Sequence, residues 1–346
     1  MYDLNNLLPS LVQLGQWLRE EAPQNDAVKR SAEAANGWFT AESIDLTLRS
    51  HGEALSEEGV TAWLHGRTRR QEGTKQVGMV LAGNLPLVGW NDIMCGVVAG
   101  HEVHAKLSKD DQVLPRWVWD QWTQLEPSLV GRVTFHDGLM KGMDAMVATG
   151  GANTSRYFHA YFGHLPHVIR GQRTSVALLD GEESDEELRA LGHDVFAHFG
   201  MGCRSVTKLC VPQGFDLDRC FGQWLEWGHL AQHSKYANNY DYHKAVWLLN
   251  REPLVENGFL LVKEDEGLFS PIGTLFVERH DSCATAIERL AQRESEIQVA
   301  VVREGSPWSA VAAEAGLRCV SPGAGQRPSL MDFADGVDTL DFLLGL

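Results

Sequence analysis

The sequence predicts an α/β fold made of two parallel-sheet domains behind a helical N-terminal segment. Three observations carry this. Short apolar runs end on Gly or Asn turns, helical stretches separate those runs, and the first 70 residues carry helical rather than strand periodicity. Strands spaced by single helices pair in parallel, because parallel neighbours need a crossover of a dozen or more residues.

The elements follow in order. Leu4, Leu7, Leu8, Leu11, Leu14 and Leu18 fall on one helical face. Thr40 and Ser56 read as N-caps of two further short helices. From Gln76 the pattern changes. QVGMVLA (76–82) is a short apolar strand ending at Gly83-Asn84, and Pro86 sits near the start of a helix over VGWNDIMCGVVAG. EVHAKL (102–107) begins about 25 residues after the first strand, room for one helix. A helix through WVWDQW, a strand in GRVTFHDG and another in MDAMVATGG come next. A second α/β stretch starts near His167, with TSVALLD and TKLCVP as strands around the helix ESDEELRALGHDVFAHFG. The tail SPGAGQRPSLMDFADGVDTLDFLL is Gly/Pro-rich, then apolar, and reads as a return segment. Ligands of parallel sheets bind where strands end and helices begin, which marks 83–86, 106–110 and 149–155.

Composition excludes several classes. With 30 basic and 46 acidic side chains the net charge is −16, and no basic stripe interrupts it, so nucleic acid is not an expected partner. A few local lysines still suffice for a nucleotide. Six scattered cysteines in so large a chain suit a reducing cytoplasm. The N-terminus lacks a basic leader, and no apolar run reaches about 18 residues, so neither a signal peptide nor a membrane span is expected. HEVH (101–104) is not His-Glu-x-x-His, and Cys203, Cys210 and Cys220 lack zinc-ligand spacing, so no metal is expected. There is no Gly-x-Ser-x-Gly elbow and no Walker loop.

Four motifs remain. Cys203 lies in FGMGCRSVTKL, where a helix gives way to a strand. Flanking glycines allow tight geometry, and Arg204 with backbone N–H groups would favour thiolate; a buried small hydrophobe is the alternative. In LAGNLPL (81–87), the Asn84 amide is placed to bind an oxyanion, a contact worth about 3 kcal/mol of barrier, or simply to shape a turn. In HAKLSKDD (104–111), the strand-end Lys106 suits a ribose and Lys109 a 2′-phosphate, with Ser108 opening the next element, or the lysines form a solvated pair beside acids. In ATGGANTSRYF (148–158), Gly150 and Gly151 suit phosphate at a helix N-terminus, with Asn153, Thr154 or Ser155 capping the helix, or form a plain tight turn. KYANNYDYHKAVWLLN (235–250) reads as core and subunit-contact sequence.

Taken in order, Asn84-x-Pro86, Lys106-x-Ser108, Gly150-Gly151 and Cys203 resemble the aldehyde dehydrogenase superfamily. More closely, AGNLPLVGWNDI, VHAKLSKDD, ATGGANTSRYF, FGMGCRSVTKLCVP, KYANNYDYHKA and DFADGVDTLDFLL resemble the acyl-CoA reductase family of the bacterial luminescence (LuxC) type, from about residue 77 to the C-terminus. The resemblance implies an aldehyde-dehydrogenase-like fold. Its parts would be an N-terminal helical segment over 1–70 packed on a Rossmann-type nucleotide-binding domain over 71–165, a catalytic domain over 166–320 carrying Cys203, and a return segment over 321–346.

It also implies an activity: NADPH-dependent reduction of a fatty acyl-CoA or acyl-protein thioester to the aldehyde through an acyl-enzyme on Cys203. Asn84 would serve the oxyanion hole, and Lys106, Ser108, Lys109, Gly150 and Gly151 the cofactor. The glutamate that activates water in hydrolytic relatives is replaced here by Ile169 or Arg170, which leaves a thioester to coenzyme A or hydride. Lys109 stands where many NAD-using relatives carry a glutamate, and lysine offers donors only, which favours NADPH. FSPIGTLF (269–276) resembles the stretch that contacts the nicotinamide ribose, with Gly267 at its glutamate position and Glu266 adjacent. An acyl-transferase or synthetase partner and a homo-oligomer are further expectations. The rival readings are an aldehyde dehydrogenase making acids or CoA thioesters, an acyl-phosphate reductase, and a non-catalytic nucleotide-binding subunit of an acyl-transfer complex.

Overall fold

The computed structural model describes residues 4–346, the side chains of Ala152 and Asn153 excepted. The chain forms two units, residues 1–172 with 328–346, and residues 173–327.

The first unit opens with four helices: α1 (Leu8–Glu20), α2 (Asp26–Ala35), α3 (Ala41–Ala54) and α4 (Glu57–Leu64). Their starts are set by short polar side chains. Asn25, Thr40 and Ser56 each accept a backbone N–H three residues on, satisfying a donor the helix leaves open. Helices α1 and α3 cross closely, because a Cβ on Gly15 would stand 2.6 Å from the Leu55 carbonyl oxygen. Leu11, Leu14 and Leu18 are fully buried there, in one core with Val77, Met79 and Val103 of the sheet that follows.

That sheet holds β1 (Gln76–Val80), β2 (Glu102–Lys106), β3 (Val133–Phe135), β4 (Ala145–Thr149) and β5 (His167–Arg170) in the order β3-β2-β1-β4-β5. All neighbours are parallel, with Val80 level with Lys106 on one side and Ala148 on the other. Crossovers are made by α5 (Trp90–Val98), α6 (Val113–Leu125) and α7 (Ala152–Phe162). The strand order reverses between β1 and β4, the switch point at which open sheets of this order hold dinucleotides.

The second unit carries β6 (Thr174–Leu178), α8 (Asp185–Phe196), β7 (Val206–Pro212), α9 (Asp218–Gln223), α10 (Ser234–Leu249), β8 (Val255–Glu256), β9 (Leu261–Glu264), β10 (Thr274–His280), α11 (Cys283–Ala291), β11 (Ile297–Val302), α12 (Pro307–Glu314) and β12 (Cys319–Val320). Its sheet runs β12-β11-β6-β7-β10-β9-β8, parallel except for β8 at one edge. Strands β6 and β11 are buried along their whole length, which explains their unbroken apolar reading. The amide-rich segment 235–250 is α10, burying Tyr236, Tyr240 and Trp247. The chain then returns to the first unit, where α13 (Thr339–Leu344) packs on α5.

Three expectations change. The stretch beginning at His167 contributes its first strand to the first sheet, so the unit boundary falls at 172/173 rather than 165/166. The reason is pairing of β5 with β4 and a buried ion pair, 2.8 Å long, between Arg170 and Asp92 of α5. The return to the first unit begins at 328 rather than 321, because residues 323–326 are bonded to the second unit. The first crossover helix starts at Trp90 and not beside Pro86, because Leu87 takes a left-handed φ of 54° that no helix continues through.

Candidate functional site

The first unit gathers its predicted residues on one edge. Because β1, β2 and β4 are parallel, the turns at 83–89, 107–112 and 149–151 all lie at the carboxyl ends of the sheet. Asn84, Lys106, Ser108, Lys109, Gly150 and Gly151 therefore share that edge. Asn84 and Lys109 are exposed, and Lys106 and Ser108 are half-buried. The β1 turn lies directly on the β2 turn, since a Cβ on Gly83 would fall 2.4 Å from the Ser108 Cβ.

Two groups, the buried Asp111 and the half-buried His51, hold the Asn84 loop, and no sequence motif marks either. Asp111 Oδ2 accepts the Leu87 N–H at 2.7 Å, fixing the left-handed residue, while its Oδ1 is buried without a partner. Burial pushes this carboxyl up to about 7, and the Leu87 N–H opposes the shift. His51, at the end of α3, also bonds the Leu87 backbone, and burial lowers its imidazole to about 4, so it is neutral near pH 7.

At β4 the helix α7 starts without a side-chain cap. Gly151 is its N-cap, in place of the expected Asn153, Thr154 or Ser155, and the side chain of Asn153 lies outside the described residues. A Cβ on Gly151 would meet nothing within 4 Å. An uncapped helix start with open space before it fits a phosphate, whose charge the N–H groups and helix dipole favour. With the switch-point order, this edge fits a dinucleotide.

Cys203 belongs to the second unit. Helix α8 begins with a Ser184–Glu187 capping box and ends in left-handed backbone at His198, Phe199 and Gly200, with φ of 53°, 60° and 75°. Glycine alone takes this conformation at no cost; each non-glycine residue here costs about 1–3 kcal/mol, and such strain concentrates at functional sites. Packing holds it: the Phe199 ring stands 4.5 Å from His233 and 6.1 Å from Tyr236. His198 is buried with Nδ1 unpartnered, and burial lowers it to about 4.

The chain then turns through Gly202–Ser205. The Ser205 N–H donates to the Gly202 carbonyl at 3.0 Å, and the Gly202 N–H donates to Ser205 Oγ at 3.1 Å. Cys203 is a central residue of this turn, exposed, at the amino end of β7. Its carbonyl accepts the buried Ser175 hydroxyl at 3.0 Å. Arg204, expected beside the thiolate, sends Nη1 to the Gly325 carbonyl at 3.1 Å. The other five cysteines are partly or fully buried, and burial raises every one of their thiols, Cys210 and Cys220 to about 12 and Cys283 to about 11. A small, partly polar pocket lined by Val195, Phe199, Thr207, Tyr236, Ser270 and Thr274 lies on the same unit.

Two further sequence readings can be placed. Arg170, with Ile169 one of the two candidates for the place of the glutamate, is buried, paired with Asp92, and bonded through Nη2 to the Thr339 hydroxyl of the return segment. The Gly267 N–H donates to Asp265 Oδ1 at 2.8 Å, and the Glu266 carbonyl accepts from Lys208 at 2.8 Å. Among the described residues no cluster of His, Cys, Asp and Glu is arranged to hold a metal. No described helix is long and apolar enough to cross a membrane.

No protein-family model matches the chain, and no curated protein matches it. Solved structures do match, and they give the chain an aldehyde-dehydrogenase-like fold. A mutant of the indole-3-acetaldehyde dehydrogenase AldA of P. syringae, in complex with NAD+ and IAA, superposes with a TM-score of 0.68 over 92% of this chain and 76% of its own, at 13% identity. The aldehyde dehydrogenase KauB of Pseudomonas aeruginosa gives 0.67 over 92% and 75%, at 11% identity. Aldehyde dehydrogenase 21 of Physcomitrella patens, in complex with the reaction product succinate, gives 0.65 over 92% and 77%, at 11% identity.

Proposed function

We propose that the chain is a nicotinamide-dependent oxidoreductase working between an acyl thioester and an aldehyde, with Cys203 as nucleophile, and that it runs toward aldehyde. The observation that carries this is the exposed Cys203, held on a tight turn behind strained backbone in an aldehyde-dehydrogenase-like fold. The Cys203 thiolate attacks the carbonyl of acyl-CoA or of an acyl group on a partner protein, and the thiol of the donor leaves. The Asn84 amide serves the oxyanion. Lys106 and Ser108 would hold the ribose, Lys109 the 2′-phosphate of NADPH, and Gly150 and Gly151 the diphosphate at the start of α7. NADPH, when bound, would supply the hydride that reduces the Cys203 thioester. The Cys203 hemithioacetal then collapses, releasing aldehyde and the thiolate.

Reduction is favoured over acid formation because the place aligned with the water-activating glutamate of hydrolytic relatives holds no free carboxylate. Arg170 is committed there to Asp92 and Thr339.

A second reading, oxidation of an aldehyde to an acid, is supported by the solved structures named above, which include NAD+ and product complexes. One experiment separates the two. The readings diverge in NADPH consumption with acyl-CoAs of graded length, followed against acid formation from aldehyde and NAD+ without coenzyme A. Mass spectrometry of Cys203 after acyl-CoA alone accompanies both. Acid formation as the faster reaction, or an unmodified Cys203, would overturn the proposal.

A further inference from the structure

The turn that presents Cys203 is fastened to a segment with no helix or strand of its own, residues 323–326. Three contacts make the attachment. Arg204 Nη1 donates to the Gly325 carbonyl at 3.1 Å, and Gln326 Nε2 donates to Ser205 Oγ at 3.3 Å. The third comes from the last turn of α8, where Asp194 takes the Gly323 N–H on Oδ2 at 2.6 Å and the Gly325 N–H on Oδ1 at 2.9 Å.

The segment lies so close to α8 that side chains are excluded at two of its four positions. A Cβ on Gly325 would stand 2.7 Å from Asp194 Oδ1, and one on Gly323 3.1 Å from the Ala190 Cβ. Asp194 has no exposed surface, and a buried carboxylate is costly unless both oxygens are engaged. Here it spends both on the backbone of one four-residue segment, one residue short of the end of the unit at Arg327. Packing alone gives no reason for an acid on the apolar stripe of α8, between Leu191 and Val195.

We propose that residues 323–326 form a strap that sets the attack geometry of Cys203, and that Asp194, which grips the strap, is a positioning residue for that thiol. This rests on Cys203 being the nucleophile. The strap holds Arg204 and Ser205, the two residues that follow Cys203 in its turn. Releasing the strap frees the turn, and a thiol displaced by about 1 Å from its line of attack loses on the order of 100-fold in rate. Asparagine at 194 keeps the volume but offers one acceptor oxygen, and its amide N–H groups would face a glycine N–H. The strap would then detach at one end without a cavity forming.

The test uses the full chain, hexadecanoyl-CoA and NADPH. Acylation of Cys203 is timed by mass spectrometry after mixing, and NADPH affinity is read from fluorescence titration. In Asp194→Asn the acylation rate should fall about 10- to 100-fold while the NADPH dissociation constant stays within about twofold, since the proposed nucleotide residues lie in the other unit. Gln326→Ala, a milder cut at the other end of the strap, should give a smaller fall of about 3- to 10-fold and serves where Asp194→Asn does not fold. Wild-type rates in both variants, or in Gln326→Ala where it alone folds, would overturn the strap while leaving the nucleophile in place. An equal loss of acylation and NADPH binding would also overturn it, because the effect would then be global. A wild-type Cys203 that hexadecanoyl-CoA never acylates would instead overturn the nucleophile itself.

Discussion

The two units solve the same problem at opposite ends of their strands. In the first, the proposed cofactor residues gather at the carboxyl ends of β1, β2 and β4, where parallel-sheet topology opens a crevice unaided. In the second, Cys203 stands at the amino end of β7, where topology offers nothing, and the presentation is built from strained backbone and a strap. Each loop is gripped by a buried aspartate. Asp111 holds one N–H and leaves an oxygen orphaned; Asp194 holds two from one segment. The proposed ligand edge follows from strand order, whereas the proposed nucleophile is held by individual contacts.

The comparison is broken most severely at the sulfur. Cys203→Ala should lower acyl-CoA reduction by at least about a thousandfold with an unchanged circular dichroism spectrum, because the proposed reaction carries the acyl unit on this sulfur. Retained activity by NADPH consumption would remove the chemical difference between the two units. Next comes the contact on which the first edge rests. Gly83→Ala drives a methyl into Ser108 and should cost about 1–3 kcal/mol in urea unfolding, with weaker nucleotide binding.

The two aspartates sharpen the comparison through pH. The folded-state value of Asp111, about 7, lies above the ~3.9 of an unfolded chain. The folded protein thus holds the proton more tightly between those values. The stability this site contributes is greatest below about pH 4 and is lost as pH rises to about 7, by at most about 4 kcal/mol. Asp111→Asn cannot ionise, so its Tm relative to wild type should be higher at pH 8 than at pH 4. Asp194, also raised to about 7 by burial, keeps its own share of the slope in that variant. A Tm difference independent of pH would show that Asp111 is not held protonated. The smallest effect belongs to the left-handed turn. Gly200→Ala meets the Val195 carbonyl at 3.2 Å and a φ of 75°, and should cost about 1 kcal/mol by thermal denaturation.

Much of this was legible in the chain. The βαβ spacing located β1, β2 and β4 and hence their shared edge, and Thr40 and Ser56 marked two helix starts through their capping chemistry. Asp194 carries a sequence signal, an acid in step with Leu188 and Leu191 on a buried stripe. Asp111 carried none, for SKDD reads as a solvated charge run, and only packing shows which acid turns inward.

By itself the sequence determined the periodicities, the caps and the residue types at strand ends, because these follow from local geometry and the few conformations open to each side chain. Tertiary structure alone decided that β5 joins the first sheet, that Arg170 is spent on Asp92, and that 323–326 stays with Cys203. Those choices depend on which distant groups become buried together, and the energy of a buried charge or an unpaired N–H is fixed by neighbours that lie far away along the chain.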